Sequence, residues 1–147
     1  MSGVKVKIVN KSQNPLPEYA TKGSAGLDLR ADIKEPLLLK SGKRFAVPTG
    51  LYIELPEGYE AQIRSRSGLS LKHGVVAANG VGTVDSDYRG EVCVILANIS
   101  DEDYEIAPGE KIAQMVISKY CRAELVLCDE LEKTERGEGG FGHSGKL

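Results

Sequence analysis

The sequence is poor in aromatic residues and in cysteine, and it has no long apolar run. Its 147 residues include no Trp, 2 Phe, 6 Tyr and 3 Cys. No segment approaches the ~20 apolar residues that a membrane-spanning helix needs. Residues 1–10 alternate Val and Lys without the apolar core of a signal peptide. We therefore expect no membrane partner.

The cysteines do not form a recognisable framework. Cys93, Cys121 and Cys128 are odd in number and lack a C-x-x-C spacing. They predict three reduced, mostly buried thiols in a cytoplasmic protein. A catalytic cysteine is the minor alternative, because no His pairs with Cys93 in a known motif.

Neither sign of charge is in large excess. The 19 basic and 21 acidic side chains leave a net charge of −2 and a pI near 5.8. A protein that coats nucleic acid usually carries a basic surplus, so no nucleic-acid partner is expected. A small anionic ligand held by a few arginines remains compatible with this balance. Length and composition are those of one globular domain.

Helical periodicity is nearly absent, whereas period-two alternation recurs along the chain. Turn-forming pairs such as Ser41-Gly42 and Pro108-Gly109 separate the alternating segments. Such spacing is typical of a sandwich, jelly roll or barrel. The run from Glu91 to Ile99 is almost wholly apolar, which predicts a strand buried on both faces. The expected strands are 4–8, 27–31, 51–55, 59–63, 91–99, 112–118 and 123–127.

One short helix is predicted from Ser67 to about His73. Ser67 is a favourable N-cap residue, and Gly74 is a favourable stop after the last turn. From Lys133 onward the composition changes, with five Gly and a single aromatic residue, Phe141. Such a tail cannot bury enough apolar area to fold alone. It is either a frayed terminus or a glycine-rich lid that orders on a ligand.

Two stretches place polar groups at strand ends. Residues 24–29 lead into a strand that carries one outward acid, Asp28, which by itself predicts only a solvated side chain. Residues 64–69 pass from a strand into the predicted helix, with Arg66 at the junction. Helix N-termini bind phosphate through free N–H groups, and arginine adds paired donors. A capped helix with a surface arginine is the alternative.

Residues 79–90 contain an Asn79-Gly80 hairpin signal and two nearby acids. Glycines here allow a ligand ring to approach the backbone closely. On an extended segment Asp85 and Asp87 would share a face. They predict either a metal or water site or an acidic turn that caps its own backbone.

The last two stretches are 109–115 and 136–145. The first is an apolar strand with one glutamine, Gln114, and has little meaning alone. In the second, glycines separate an arginine, an aromatic ring and a hydroxyl, which could wrap a nucleotide. Phe141 could stack on a base, while Arg136 and Ser144 could hold phosphate.

Taken together and in this order, the five stretches resemble the five motifs of the trimeric dUTP pyrophosphatase (dUTPase) family. The resemblance runs from Ser24 to Gly145. The dCTP deaminases, which share the fold, lack the Arg-Gly-x-Gly-Gly-Phe-Gly tail. The resemblance implies an all-β, distorted jelly-roll (β-clip) fold with one short helix. It also implies a homotrimer with shared active sites, with residues 1–132 as the β domain and 133–147 as a flexible tail that closes over the site.

By the same resemblance the protein would hydrolyse dUTP to dUMP and pyrophosphate with Mg²⁺. This activity limits uracil in DNA and supplies dUMP for thymidylate synthesis. Asp85 would activate the attacking water, and Asp28 would contact the metal through water. The alternatives are a non-hydrolytic nucleotide-sensing or interaction module and a dCTP deaminase on the same fold. The implied substrate-binding residues are Arg66, Ser67, Gly68, Asn79, Gly82, Val84, Tyr88, Gln114, Arg136, Phe141 and Ser144.

Overall fold

The computed structural model describes residues 3–146 and consists mainly of β-strands with one short helix, as predicted. No helix within these residues is long and apolar enough to cross a membrane. The elements in chain order are β1 (Lys7–Asn10), β2 (Leu27–Arg30), β3 (Leu37–Leu39), β4 (Arg44–Glu54), β5 (Tyr59–Arg64), α1 (Ser67–His73), β6 (Val75–Ala77), β7 (Val81–Val84), β8 (Glu91–Asn98), β9 (Tyr104–Ile106) and β10 (Lys111–Lys119).

The strands form two four-stranded antiparallel sheets and one small sheet. The first sheet has the order β1-β4-β8-β6 and the second has the order β2-β10-β5-β7. Strands β3 and β9 pair separately. The alternating inward residues of both large sheets meet in a single apolar core. Val47 and Leu96 enter it from the first sheet, and Leu29 and Ala61 from the second.

Helix α1 has the predicted bounds but a different N-cap. Arg66, not Ser67, is the N-cap residue, and no side chain caps the helix start. The exposed N–H groups at this end are thus left without a side-chain acceptor from the cap. At the other end Gly74 takes the left-handed conformation, with φ 63°, and closes the helix as expected.

The predicted strand at 123–127 is absent from the described chain. Residues 121–131 form no strand and are exposed throughout, and Leu125 and Leu127 are 92% and 100% exposed. The alternation is present in the sequence, but a strand needs a hydrogen-bonding neighbour, and this segment has none within its own chain.

The prediction that β8 is buried on both faces is wrong for the single chain. Val92, Val94 and Leu96 point into the core, while Cys93 and Ile95 alternate with them on an exposed face. All three cysteines are free and exposed, so the expectation of buried thiols is also wrong for one chain. Partial desolvation of the Cys93 thiol, followed by the charge of Glu91, raises its pKa.

Asn98 is a buried polar residue that fastens one end of the first sheet. It is 1% exposed, and its Nδ2 donates to the carbonyls of Leu39, at 2.9 Å, and Glu102, at 2.7 Å. Its Oδ1 accepts from the backbone N–H and the hydroxyl of Ser100. One side chain therefore joins β3, β8 and the loop after β8.

We expect Asn98→Ala to lower the free energy of unfolding by about 2 kcal/mol or more, because it leaves buried backbone groups without partners. Chemical denaturation at a fixed protomer concentration measures the change. Ser118→Ala is the control, because the Ser118 hydroxyl makes only a 3.3 Å hydrogen bond to the Lys119 carbonyl. Equal stability of the two variants would contradict a structural role for Asn98.

Candidate active site

A carboxylate held between two cations lies where β2, β10 and the start of α1 meet. Asp28 Oδ1 is 3.3 Å from Arg66 Nε, and Asp28 Oδ2 is 2.9 Å from Lys111 Nζ. Arg66 Nη1 also donates to the Lys111 carbonyl at 3.0 Å. The three side chains are partly exposed, between 23% and 37%. Together with Gln114 they are called the cationic corner below.

A β-bulge in β10 explains why these side chains share one face. Lys111 pairs with Arg30, but the register shifts before Ala113, which pairs with Leu29. Ile112 and Ala113 are both buried, at 1% and 0% exposure. Two successive inward residues place Lys111 and Gln114 on the same outward face, three residues apart.

Gln114 is fixed opposite Asp28. The two residues are cross-strand partners, and Gln114 Nε2 donates to the Ser65 carbonyl at 3.2 Å. A Cβ at Gly26 would lie 2.5 Å from Gln114 Oε1, so only glycine leaves room for this side chain. The corner thus brings together the predicted residues of the first, second and fourth motifs.

The loop before β10 is closed by a second carboxylate. Glu110 accepts from the Tyr104 hydroxyl through Oε1 and from the Ala107 N–H through Oε2, the latter at 2.9 Å. Burial raises the pKa of Tyr104 to about 12, and the hydrogen bond to Glu110 adds to the shift. These contacts fix the backbone from which Lys111 and the bulge start.

A separate cavity of about 270 Å³ is lined by four of the predicted base-binding residues, Asn79, Gly82, Val84 and Tyr88. Val92, Cys93 and Ile95 of β8 are among its other lining residues. A Cβ at Gly82 would lie 3.1 Å from Ile63 Cβ, so a larger residue would crowd this wall. The lining is mostly apolar, as it is in many small-molecule pockets.

The Asn79-Gly80 turn forms, but it does not make a hairpin. Gly80 donates to the Ala77 carbonyl and has φ 75°. The strands on either side, β6 and β7, lie in different sheets. The turn therefore passes the chain between sheets, a placement that the local sequence does not encode.

Asp85 and Asp87 lie in a turn after β7 and not on an extended segment. The Tyr88 N–H donates to the Asp85 carbonyl at 3.2 Å. Both acids are exposed and line an open cavity of about 610 Å³ together with Arg89 and Arg122. Tyr88 is held by a hydrogen bond from its hydroxyl to the Glu91 carbonyl.

Within one chain, Asp85 is far from the cationic corner. In the β5–β7 pair Ala61 lies opposite Val84, and Arg64 lies opposite Val81. Asp85 and Arg66 extend beyond opposite ends of this ladder, so they are roughly 20 Å apart at 3.3 Å per residue. One chain therefore does not bring its own Asp85 to its own Arg66.

The tail residues also stay apart from both sites. Arg136 Nε donates to the Gly139 carbonyl at 2.8 Å, which is a contact within the tail itself. Phe141 is fully exposed, and Ser144 is exposed as well. The predicted site residues thus fall into four separate groups: the corner, the cavity, the Asp85 turn and the tail.

Lys111 is the corner residue that the sequence interpretation missed. It lies within the fourth stretch, in which Gln114 is the only residue with a predicted role. The available signal was the adjacent pair Ile112-Ala113, which interrupts the period-two alternation of β10 and marks a bulge next to the only glutamine of the strand.

The fold and these sites define an antiparallel β protein with a cationic corner at a helix start and a separate glycine-walled cavity. A corner of this kind suits phosphate, and the cavity suits a small ring. The dUTPase family model matches residues 3–145, and the chain belongs to this family.

Two bacterial relatives are similar in sequence to this chain over nearly its whole length. Deoxyuridine 5'-triphosphate nucleotidohydrolase of Finegoldia magna is 54% identical over 142 residues, which cover 97% of this chain and 99% of the relative. The enzyme of the same name from Fusobacterium nucleatum is 55% identical over 146 residues, covering 99% and 100%. These names describe a hydrolase that acts on dUTP.

Solved structures agree with the fold. The dUTPase of Staphylococcus bacteriophage 80alpha with dUpNHpp is 29% identical and has a TM-score of 0.87, covering 97% of this chain and 99% of that one. Its G164S mutant with the same compound has a TM-score of 0.86 at 28% identity, with the same coverage.

The raised pKa of Tyr104 predicts a loss of stability at alkaline pH. An unfolded tyrosine loses its proton near pH 10, whereas folded Tyr104 holds it to about pH 12. Unfolding therefore releases a proton in this window, so the contribution of Tyr104 is complete below pH 10 and is lost toward pH 12. Denaturation of the wild type and Tyr104→Phe across this range should show their stability difference changing in favour of the variant. A difference independent of pH would contradict the shift.

Proposed function

We propose that this protein hydrolyses dUTP to dUMP and pyrophosphate, so that it limits uracil in DNA and supplies dUMP for thymidylate synthesis. The observation that carries the proposal is the cationic corner, in which Arg66 and Gln114 are fixed beside the start of α1 in a chain of the dUTPase family. The structure of the 80alpha phage dUTPase was solved with dUpNHpp.

Asp85 acts as the general base in this proposal. Its carboxylate takes a proton from a water that attacks the α-phosphorus in line, the bond to the bridging oxygen breaks, and pyrophosphate leaves. An ionised carboxylate is a sufficient base, because the anhydride is already activated. The exposed position of Asp85 on a turn supports this role, since the carboxylate remains open to water and to substrate.

The phosphate chain lies at the cationic corner. Arg66 donates from the N-cap position of α1 and Gln114 from β10, while Ser67 and Gly68 donate backbone N–H groups from the uncapped first turn of α1. Their fixed positions supply electrostatic stabilisation without reorganisation during the reaction. Arg136 and Ser144 close over the phosphates from the tail.

Uracil enters the glycine-walled cavity. Backbone groups between Asn79 and Val84 pair with its N3–C4 edge, and cytosine presents the opposite donor and acceptor pattern there. Buried groups left unpaired reject such an analogue strongly. Gly82 lets the base lie so close to the backbone that no room is left for a thymine methyl. Tyr88 packs under the deoxyribose, and Phe141 stacks over the base.

Magnesium fits this site as a metal carried mainly by substrate. No group of three or more His, Cys, Asp or Glu side chains in residues 3–146 is arranged to hold a metal ion. Asp28 has each carboxylate oxygen against a cation, which leaves it suited to contact a metal-bound water and not the ion directly. Mg²⁺ commonly retains waters and binds through phosphates. When bound, it neutralises negative charge on the triphosphate.

We propose that the active unit is a homotrimer of distorted jelly rolls with shared sites. The corner comes from one chain, the Asp85 turn from a second and the tail, residues 133–147, from a third. The roughly 20 Å separation along β5 supports this, because one chain cannot place Asp85 beside Arg66. The tail then serves as a lid on the 1–132 domain.

Apolar surface supports the same assembly. The outward face of β8, with Ile95 and Cys93, is exposed in one chain although its sequence is that of a buried strand. The 123–127 segment alternates apolar residues with no partner of its own. Strand β1 has a free edge beside an apolar groove of about 340 Å³, which a strand from a second copy would fill. The free cysteines accord with a cytoplasmic protein.

The test of function is a panel of the four deoxynucleoside triphosphates with Mg²⁺ and a pyrophosphate readout. We expect turnover of dUTP and little turnover of dCTP or dTTP. Equal turnover of all four nucleotides would contradict a role of the cavity in selecting the base. Ammonia from dCTP would indicate a deaminase, and tight dUTP binding without product would indicate a nucleotide sensor.

Asp85→Asn is the matched control for this panel. We expect it to bind dUpNHpp as the wild type does and to lose about 10²-fold or more in kcat, since it removes a general base and keeps the shape. Retained turnover would remove Asp85 as the base.

A shared site also predicts complementation between inactive chains. Asp85→Asn and Arg66→Gln chains, co-expressed in equal amounts with different tags, should regain about one quarter of wild-type activity, because a quarter of their interfaces combine an intact Asp85 with an intact Arg66 from another chain. Activity of the whole co-expressed pool measures this, whereas trimers purified through both tags should reach about one third, because one of their three interfaces is intact. No gain over either variant alone would show that each chain carries its own complete site.

A further inference from the structure

Arg66 alone offers a limited number of donors to a substrate. Its Nε is used on Asp28 at 3.3 Å, and one N–H of its Nη1 is used on the Lys111 carbonyl at 3.0 Å. The other N–H groups of the guanidinium, one on Nη1 and two on Nη2, remain for a ligand. A triphosphate carries about four negative charges, so one guanidinium is a small share of the cationic donors that it needs.

Lys111 supplies further cationic N–H donors beside Arg66. Its ammonium has three N–H groups, and the contact to Asp28 Oδ2 uses one of them. The side chain is 37% exposed, so the other N–H groups can meet a ligand. The contact with Asp28 holds the ammonium beside Arg66 and restricts the motion of its long stem.

The balance of charge at the corner favours an anion. Arg66 and Lys111 face one carboxylate, that of Asp28, which leaves one net positive charge. The adjacent acid, Glu110, is engaged by the Tyr104 hydroxyl and the Ala107 N–H and makes no ion pair with either cation. The bulge at Ile112 aims Lys111 at the same face as Gln114.

We propose that Lys111 is a further substrate-binding residue, whose ammonium contacts the phosphate chain of dUTP beside Arg66. The proposal rests on the proposed function, because it takes the corner to be the phosphate site. Asp28 then acts as a positioning residue that holds both cations at a distance suited to one polyphosphate.

The test compares ligands with and without phosphate. Calorimetry measures the binding of dUpNHpp and of deoxyuridine to the full-length wild type, Lys111→Gln and Lys111→Arg. Lys111→Gln should bind dUpNHpp about tenfold more weakly and deoxyuridine unchanged, because only charged contacts to phosphate are lost. Lys111→Arg should stay close to the wild type.

Lys119→Gln is the matched control. It removes the same charge at the far end of the same strand, where Lys119 lies over the ring of Tyr59. It should bind both ligands as the wild type does. Equal weakening of both ligands by Lys111→Gln would show a structural clamp and overturn the proposal, as would unchanged binding of dUpNHpp.

A measurement on the wild type covers the case in which Lys111→Gln does not fold. An amine-reactive acetylating reagent, read by mass spectrometry, should label Lys111 and Lys119 in the free protein. Saturating dUpNHpp should protect Lys111 and leave Lys119 labelled, whereas deoxyuridine should protect neither. Lack of protection would refute the contact. A wild type that neither binds dUpNHpp nor hydrolyses dUTP would refute the proposed function itself.

Discussion

The contact of Asp28 with two cations is the interaction on which the candidate phosphate site depends. It joins three segments that are far apart in sequence: β2, the start of α1 and the start of β10. Because the side chains are partly exposed, the pairs contribute little to stability. Their value is positional, since they hold a guanidinium and an ammonium in a fixed relation before any ligand arrives.

The corner in turn depends on a local irregularity of β10. In a regular strand, Lys111 and Gln114 would point to opposite faces of the sheet. The extra residue at Ile112 shifts the alternation of inward and outward side chains by one position. The two inward residues Ile112 and Ala113 stabilise this shift through core packing. The same hydrophobic burial that builds the sandwich therefore sets the direction of the polar side chains at its edge.

Alternation predicted the strands that bury one face within their own chain, such as β2 and β5, because burial on one side imposes period two on the sequence. The helix Ser67–His73 was predicted from its end signals, of which the stop at Gly74 is confirmed. Alternation cannot predict sheet membership, so the hairpin predicted at Asn79-Gly80 does not form. The prediction of Ser67 as the N-cap is wrong for a similar reason, because a favourable residue type does not determine which backbone position starts the helix.

The homotrimer proposed above would give the remaining errors one physical cause. The composition of the sequence would then reflect burial in the assembly, whereas the structure of one chain shows only the contacts within that chain. The outward side of β8, the thiol of Cys93 and the 123–127 segment all have the composition of buried residues, and all are exposed in one chain. The alternation of Leu125 and Leu127 with other residues in the 123–127 segment would be explained by a partner surface that covers the two leucines.

The site residues show the same division. The five motifs fall into groups that one chain keeps apart, with Asp85 and Arg66 at opposite ends of the β5–β7 ladder. A rigid sheet cannot close that gap by bending, because its core is close-packed and its register is fixed. Either the motifs have unrelated roles or separate chains bring them together. Each group contains residues suited to a different part of one nucleotide, so the second explanation accounts for more of the sequence, and it is the reason for proposing that the site lies between chains.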